Sequence, residues 1–294
     1  MATLREIRSR ITGVKNTQKI TKAMKMVSAA KLRRATDAII AARPYAKKMK
    51  ELLSHLSGQV DVSKYPLFET REVNAVAIVV VTADRGLCGA FNGNIIKATV
   101  NHIESHYADL QAAGKVKLIC VGKKSADFFG KRNYKIYSKH VGVFNHLNFT
   151  IAETIVAEVV NGFIKGEFDK VEIVSNEFKN AVQQKLTISQ FLPLTSDETK
   201  DKRHSATDYI YEPSKDGIVD ALVPKHLNFQ MWRVLLDSNA AEQGARMSAM
   251  ENASTNARDL IRVLQLNYNK ARQAAITKEL LEIVGGAEAL RKTG

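Results

Sequence analysis

The chain is poor in the residues that announce secreted or membrane-spanning proteins. Its 294 residues include two cysteines, one tryptophan and five prolines, and the longest apolar run is the seven residues Ala75–Val81. A helix that crosses a bilayer needs about 20 consecutive apolar residues, so direct membrane insertion is not expected. Cys88 and Cys120 lie 32 positions apart. They form no CxxC pair and imply no disulfide framework, which fits a reducing compartment. Cys120, inside VKLICVG, reads as a small core residue. The N-terminal MATLREIRSRITG has charges but no apolar h-region, so no secretory signal is expected. His102 and His106 of HIESH would share a helix face, but the glutamate falls one place late for a zinc-protease helix. No metal site is expected there.

Charge is abundant and unevenly spread. The net charge is +14, and residues 1–57 hold 14 Lys/Arg against 3 Asp/Glu, giving +11. Residues 58–227 are close to neutral, and residues 228–294 carry +2. A basic segment of this kind is an electrostatic footprint for nucleic acid, anionic lipid or an acidic protein. It also suits a helix that merely keeps a protein soluble.

From Thr3 to about Ser57 there is one glycine, Gly13, and one proline, Pro44. Leu4, Ile7, Ile11 and Val14 follow a 3-4 spacing, and Ile20, Met24 and Val27 resume it in shifted phase. That is a coiled-coil-like stripe on a helix of roughly 80 Å, expected to kink or break at Pro44. SGQVDVSKYPLFETRE then reads as a loop. Strand patterns at 75–82, 116–121, 134–138, 171–176 and 185–192 alternate with helix patterns at about 90–110, 123–130 and 149–165. This interleaving predicts an α/β layer with a largely parallel sheet. Residues 196–208 read as a polar loop, and YIYEP after it as a short final strand. Helical signal returns from about Ser214, interrupted at Pro224 and Gly244. Met250, Ala253, Ala257, Leu260, Leu264, Ala271 and Ala274 form its stripe, with a polar Asn267 where an apolar residue is due. The expected fold is α/β: a central Rossmann-like α/β domain (73–212) after a linker (58–72), plus a long antiparallel coiled coil of the N-terminal (1–57) and C-terminal (213–294) helices.

The stretch VNAVAIVVVTADRGLCGAFNGN raises the question of an active site. Gly86, Gly89 and Gly93 fail the GxxxxGK[ST] phosphate loop. At Gly122-Lys123 the upstream glycine is replaced by Lys117, and no GxGxxG follows the first strand. The glycines then serve a tight strand-to-helix turn, or a site of another kind. Arg85 would suit a carboxylate, and Cys88 has no histidine near it in sequence.

Four segments resemble one family. They are EIRSRITGVKNTQKITKAMKMVSAAKLRRA (6–35), TADRGLCGAFN (82–92), EQGARMSAMENASTNA (242–257) and YNKARQAAITKELLEIVGGA (268–287). All resemble the gamma subunit of the rotary F-type ATP synthase, in order and over essentially the whole chain. The resemblance implies a central shaft inside a ring of three alpha and three beta subunits. Its α/β domain would lie towards the membrane, beside the epsilon subunit and the c-ring. It implies no cofactor, no catalysis in this chain and no nucleic acid, at the cytoplasmic face of the cell membrane. By the same resemblance Met24, Lys25 and Arg85 lie near the beta-subunit levers, and Arg272, Gln273, Thr277 and Glu279 match positions that touch the beta catch loop. The tip IVGGAEALRKTG would turn in an apolar bearing, and Cys88 becomes a packing residue. Chloroplast-type members carry an inserted cysteine pair that is missing here, so thiol regulation is not expected, while the polar 196–208 loop and the initiator methionine point to the bacterial type. Two rival readings have their own signatures: a DNA-binding coiled coil would show steeply salt-dependent binding, and an α/β enzyme would lose activity on Cys88→Ser.

Overall fold

Val76–Val81 forms strand β1, and all six positions are buried, as a β-branched run covered on both faces requires. The computed structural model describes residues 3–57, 65–180, 183–194 and 215–293. Along the chain follow α1 (Leu4–Ser57), β1, α2 (Phe91–His106), α3 (Ala108–Ala112), β2 (Val116–Val121) and α4 (Lys123–Phe129). Then come β3 (Lys135–His140), α5 (Phe149–Ile164), β4 (Lys170–Phe178), β5 (Gln184–Leu192) and α6 (Lys215–Thr293). The sheet order is β3-β2-β1-β4-β5. The first four strands run parallel and β5 pairs antiparallel with β4.

Two compact units divide the chain, one made of Met1–Val27 with Met247–Gly294 and the other of Ser28–Arg246. In the second, the alternation of β1 splits two cores. Ala77, Val79 and Val81 face Val156, Val159 and Phe163 of α5 and Val223, Leu227, Met231 and Leu235 of α6. Val76, Ile78 and Val80 face Phe91, Ile95 and Ile103 of α2 and Phe129 of α4. β1 therefore sits at the centre of a three-layer α/β arrangement. The order reverses at β1, so the loop leaving its C-terminal end occupies the switch point where such sheets usually hold a ligand.

The first unit is an antiparallel helix pair. Thr21 Oγ1 lies 2.7 Å from Ser254 Oγ, and Lys25 pairs with Glu251. Nearer the N-terminus, Arg8, Ile11 and Lys15 share a groove with Gln265, Tyr268 and Asn269. Partner numbers fall as α1 numbers rise, which defines the antiparallel sense.

The seam differs from the sequence expectation. The regular series of covered or half-covered positions on α1 is Ile7, Ile11, Val14, Gln18, Thr21, Lys25 and Ser28, with Leu4, Met24 and Ala29 also half-covered, and the same spacing continues through Leu32, Ala35 and Ile39. That is an unbroken alternation of four and three with no phase shift. Ile20 and Val27, which suggested the shift, are 60% and 56% exposed. On α6 the buried residue is Ile261 rather than Leu260, and half-buried Tyr268 takes the place expected beside Asn267. Ala275 rather than Ala274 is half-covered. Helix α1 runs through Pro44 without a break, and α6 through Pro224 and Gly244. A proline forfeits one hydrogen bond, but helices held by tertiary contact along their length survive that loss. The 196–208 loop and the YIYEP strand lie outside the described residues.

Glycines on two helices separate backbone propensity from contact. A Cβ on Gly162 of α5 would overlap the Phe168 ring, whereas one on Gly13 of α1 meets nothing within 4 Å. Gly162→Ala is expected to destabilise by about 1–3 kcal/mol. Gly13→Ala should stabilise its helix by up to about 1 kcal/mol. Urea unfolding of the full chain, followed by circular dichroism, checks this; equal signs for the two changes would refute the contact argument.

Candidate functional site

The turn after β1 is fixed by one acid and one amide. Asp84 Oδ1 accepts from the backbone N–H groups of Lys123 and Gly142 at 3.0 and 2.8 Å, and Oδ2 from that of Phe144 at 3.2 Å. One carboxylate thus ties the loops after β1, β2 and β3. Asn92, in the first turn of α2, accepts from Ala83 N at 2.9 Å and donates to Arg85 O at 3.3 Å. Gly89 and Leu87 have left-handed backbones, φ 59° and 62°. Gly122 (φ 94°) has no room for a Cβ, which would overlap the Thr82 carbonyl.

Beneath the turn lies an ion pair on α6. Arg246 Nη1 donates to Glu242 Oε1 at 2.5 Å, one helical turn away, and Nη2 donates to Gly86 O at 3.2 Å. Both side chains are nearly buried. Glu242 Oε2 has no partner among the described residues. Burial pushes the Glu242 carboxyl above its usual range, against the pull of Arg246. The Arg85 guanidinium is exposed and has no polar partner among the described residues. Cys88 is 1% exposed and its thiol is pushed up, mainly by burial, so it sits as a packing residue. Cys120 is likewise fully buried and pushed up to about 11 by burial.

The remaining candidates lie on the helix pair. Met24 and Lys25 are half-buried, and Lys25 is engaged by Glu251. Arg272, Gln273, Thr277 and Glu279 are exposed on α6, with Thr277 Oγ1 donating to Gln273 O at 2.9 Å. Gln273 and Thr277 are one helical turn apart and share a face. Arg85 belongs to the other unit. His102 and His106 share a helix face, their ring centroids 4.6 Å apart, but His102 turns to an acid of the sheet. Its Nε2 lies 2.6 Å from Glu172 Oε2, and Glu172 also takes bonds from Tyr107 and Lys170. Burial opposes the charge on Glu172, but these donors win and hold its carboxyl below the usual range.

Sequence reasoning passed over Asp84, Glu242 and Arg246 as individuals. The available signal was an i,i+4 acid–base pair, Glu242 and Arg246, among the many small residues of DSNAAEQGARMSAM. A buried pair there must answer to something specific, because burying charge is costly.

One unit is a helix pair with uncovered apolar faces, and the other is an α/β layer whose switch-point turn is occupied by its own Asp84 and Arg246; these are the features of a coiled-coil subunit of a larger assembly. Residues 3–290 match the family described as ATP synthase. The ATP synthase gamma chain of Chloroherpeton thalassium is 54% identical over the whole of both chains. That of Chlorobaculum tepidum is 54% identical over 99% of this chain and all of its own. Among solved structures, a chain of the Euglena gracilis mitochondrial ATP synthase (OSCP/F1/c-ring) aligns with TM-score 0.68 and 25% identity, covering 98% of this chain and 94% of that one. A chain of the Tetrahymena thermophila mitochondrial central stalk and c-ring gives 0.60 and 27%, covering 80% and 99%. The chain belongs to the ATP synthase gamma chain family, the central rotor stalk of the F-type enzyme.

Arg246→Ala would leave Glu242 buried without its partner and release the Gly86 carbonyl. We expect a loss of about 3–5 kcal/mol near pH 8 in urea unfolding of the full chain. The Glu242 carboxyl is already raised in the folded state, and it would rise further without the guanidinium. A raised carboxyl adds stability below its unfolded value that is lost as pH rises through its folded value. The cost of Arg246→Ala should therefore shrink as pH falls towards 5, and a pH-independent cost would contradict this account.

Proposed function

We propose that this chain is the non-catalytic shaft around which three alpha and three beta subunits are arranged. It couples ion-driven rotation of a c-ring to conformational change in the beta subunits, and runs in reverse during ATP hydrolysis. Epsilon and the c-ring would hold it at the cytoplasmic face of the cell membrane, since among the described residues no helix is long and apolar enough to cross. The observation that carries the reading is the uncovered apolar surface of the helix pair. Ile276, Leu280, Leu281, Ile283 and Val284 on the last turns of α6 are 50–68% exposed. A row of that kind is a liability on a free protein and marks a surface covered by partners.

The contact residues divide by chemistry. The basic α1, with Met24 and Lys25, and the exposed Arg85 are suited to acidic levers on the beta subunits. Arg272, Gln273, Thr277 and Glu279 offer donors and acceptors to a loop higher in the ring. No single contact is expected to be strong, because a clamp that held equally in every state would resist turning. Only a difference in contact between states can bias the conformations of the ring.

The isolated chain is expected to show no ATPase activity and to co-assemble with alpha and beta subunits into a complex with sustained turnover. A purified chain that fails to join an alpha–beta ring would overturn the assignment of role. In the assembled complex, Arg272→Ala with Gln273→Ala should lower ATP-driven turnover about fivefold, which corresponds to about 1 kcal/mol. The fold, checked by circular dichroism, should not change. Unchanged turnover and proton pumping would show these two side chains to be dispensable.

A further inference from the structure

A cavity of about 270 Å³ opens among Ile39, Ala42 and Ala46 of α1, Phe178 of β4, and Phe229 and Leu236 of α6. All of these residues belong to the unit Ser28–Arg246. The three α1 residues are spaced three and four apart and share one helix face, and the two alanines leave room that larger side chains would fill. Phe229 is braced by Tyr45, their ring centroids 4.7 Å apart, so the aromatic wall is formed in advance. The volume is at the small end of ligand pockets. It suits a body of one or two rings or a short alkyl chain.

Arg43, Glu177, Arg233 and Asp237 line the same cavity and are unequally committed. Arg233 is divided between two acids, with Nε 3.6 Å from Asp237 Oδ2 and Nη2 3.9 Å from Glu177 Oε1. Both distances are longer than a hydrogen bond. Arg43 is exposed and makes no hydrogen bond or ion pair among the described residues; it acts on Asp237 only through space. Burial pushes the Asp237 carboxyl up to about 6, against the pull of Arg233 and Arg43 and with Glu177 adding to the rise. Once Asp237 takes a proton, two guanidiniums face one carboxylate. We propose that this cavity binds a small organic anion, a monocarboxylate with an apolar body. The ligand carboxylate takes the fork of Arg43, and the body lies against Ala42, Ala46 and Phe229. Asp237 is protonated as the ligand enters, because neighbouring carboxylates disfavour joint ionisation. The site is independent of the rotor reading given above.

The probe is 2-naphthoate, titrated against the full chain and followed by its fluorescence anisotropy at about pH 5 and about pH 8, where it stays largely ionised. Saturable binding is expected at the lower pH with a Kd below about 1 mM, weakening about tenfold at the higher pH as Asp237 ionises. Asp237→Asn should bind at the higher pH as tightly as the parent does at the lower, and lose the pH dependence. Arg43→Gln should weaken binding about tenfold at both. Ala42→Leu, which fills the cavity, should abolish it with the fold intact by circular dichroism. Arg43 is exposed, so its variant decides the matter even where Ala42→Leu fails to fold. Four results would overturn the proposal: no saturable binding, binding unaltered by Arg43→Gln, an affinity of the parent that ignores pH, or equally tight binding of the cationic 2-naphthylmethylamine.

Discussion

Everything in the helix-pair unit depends on the alternation of four and three along α1. A repeat of about 3.5 residues keeps one narrow strip of each helix facing the other. Only two positions in seven are used this way, so whatever occupies the other five is free of the coil. Here the strip itself is weakly apolar. Thr21 meets Ser254 and Lys25 meets Glu251, where a coil selected for stability alone would place leucine. Polar layers of this kind fix register at some cost in burial. Ile7, Ile11, Val14 and Ile261 lie in the strip, but many other large apolar residues, Ile20, Val27, Val263, Leu266 and Leu281 among them, stand outside it. Apolar side chains in such number outside the strip are not what a self-sufficient coil needs, and they match a shaft whose hydrophobic surface is completed by others.

The turn after β1 obeys a different constraint, the need to satisfy amides at a switch point. In nucleotide-binding relatives of this sheet plan, the first N–H groups of a helix point at phosphate. Here the first N–H of α4, from Lys123, points at Asp84, and Arg246 reaches the Gly86 carbonyl from α6. The donors that would greet an anion are committed within the chain. The same geometry that builds a ligand cleft elsewhere builds a rigid pedestal, and this supports the reading of a subunit that transmits force.

Much of the fold is legible in the sequence, for identifiable reasons. The five strands appear within about two residues of their expected ends because short stretches rich in apolar residues, of which Val76–Val81 is the most continuous, are bounded by glycine and polar turns. The phase of the coil is not legible. Ile20 and Val27 are apolar for the sake of the outer surface, so apolar periodicity reports the wrong face, while the true strip passes through Gln18, Thr21 and Lys25. The same error exchanges Leu260 for Ile261 on α6. Prolines mislead similarly: Pro44 and Pro224 cost local bonds, but contact along the helices keeps both continuous. The candidate contacts Arg272, Gln273, Thr277 and Glu279 came from resemblance. Nothing in spacing or charge would have separated them from other exposed helix residues. Asp84 and Arg246 needed coordinates, since their partners are backbone atoms 39 to 160 positions away.

The two arginines of this region show why rigidity and coupling need different residues. Arg246 is nearly buried and holds the same carboxylate and carbonyl whatever lies outside. A contact that is equal in all states shifts no equilibrium, so Arg246 can only hold the turn. Arg85 is exposed and without a polar partner among the described residues, so its energy is open to change by a carboxylate from outside the chain. Lys25 is intermediate, since both it and Glu251 are about half exposed, and such a pair is worth at most about 1 kcal/mol. It can exchange Glu251 for an external acid at little cost. Lys25 and Arg85 thus leave room for partners from outside the chain, whereas Asp84 and Arg246 hold the turn after β1 from within.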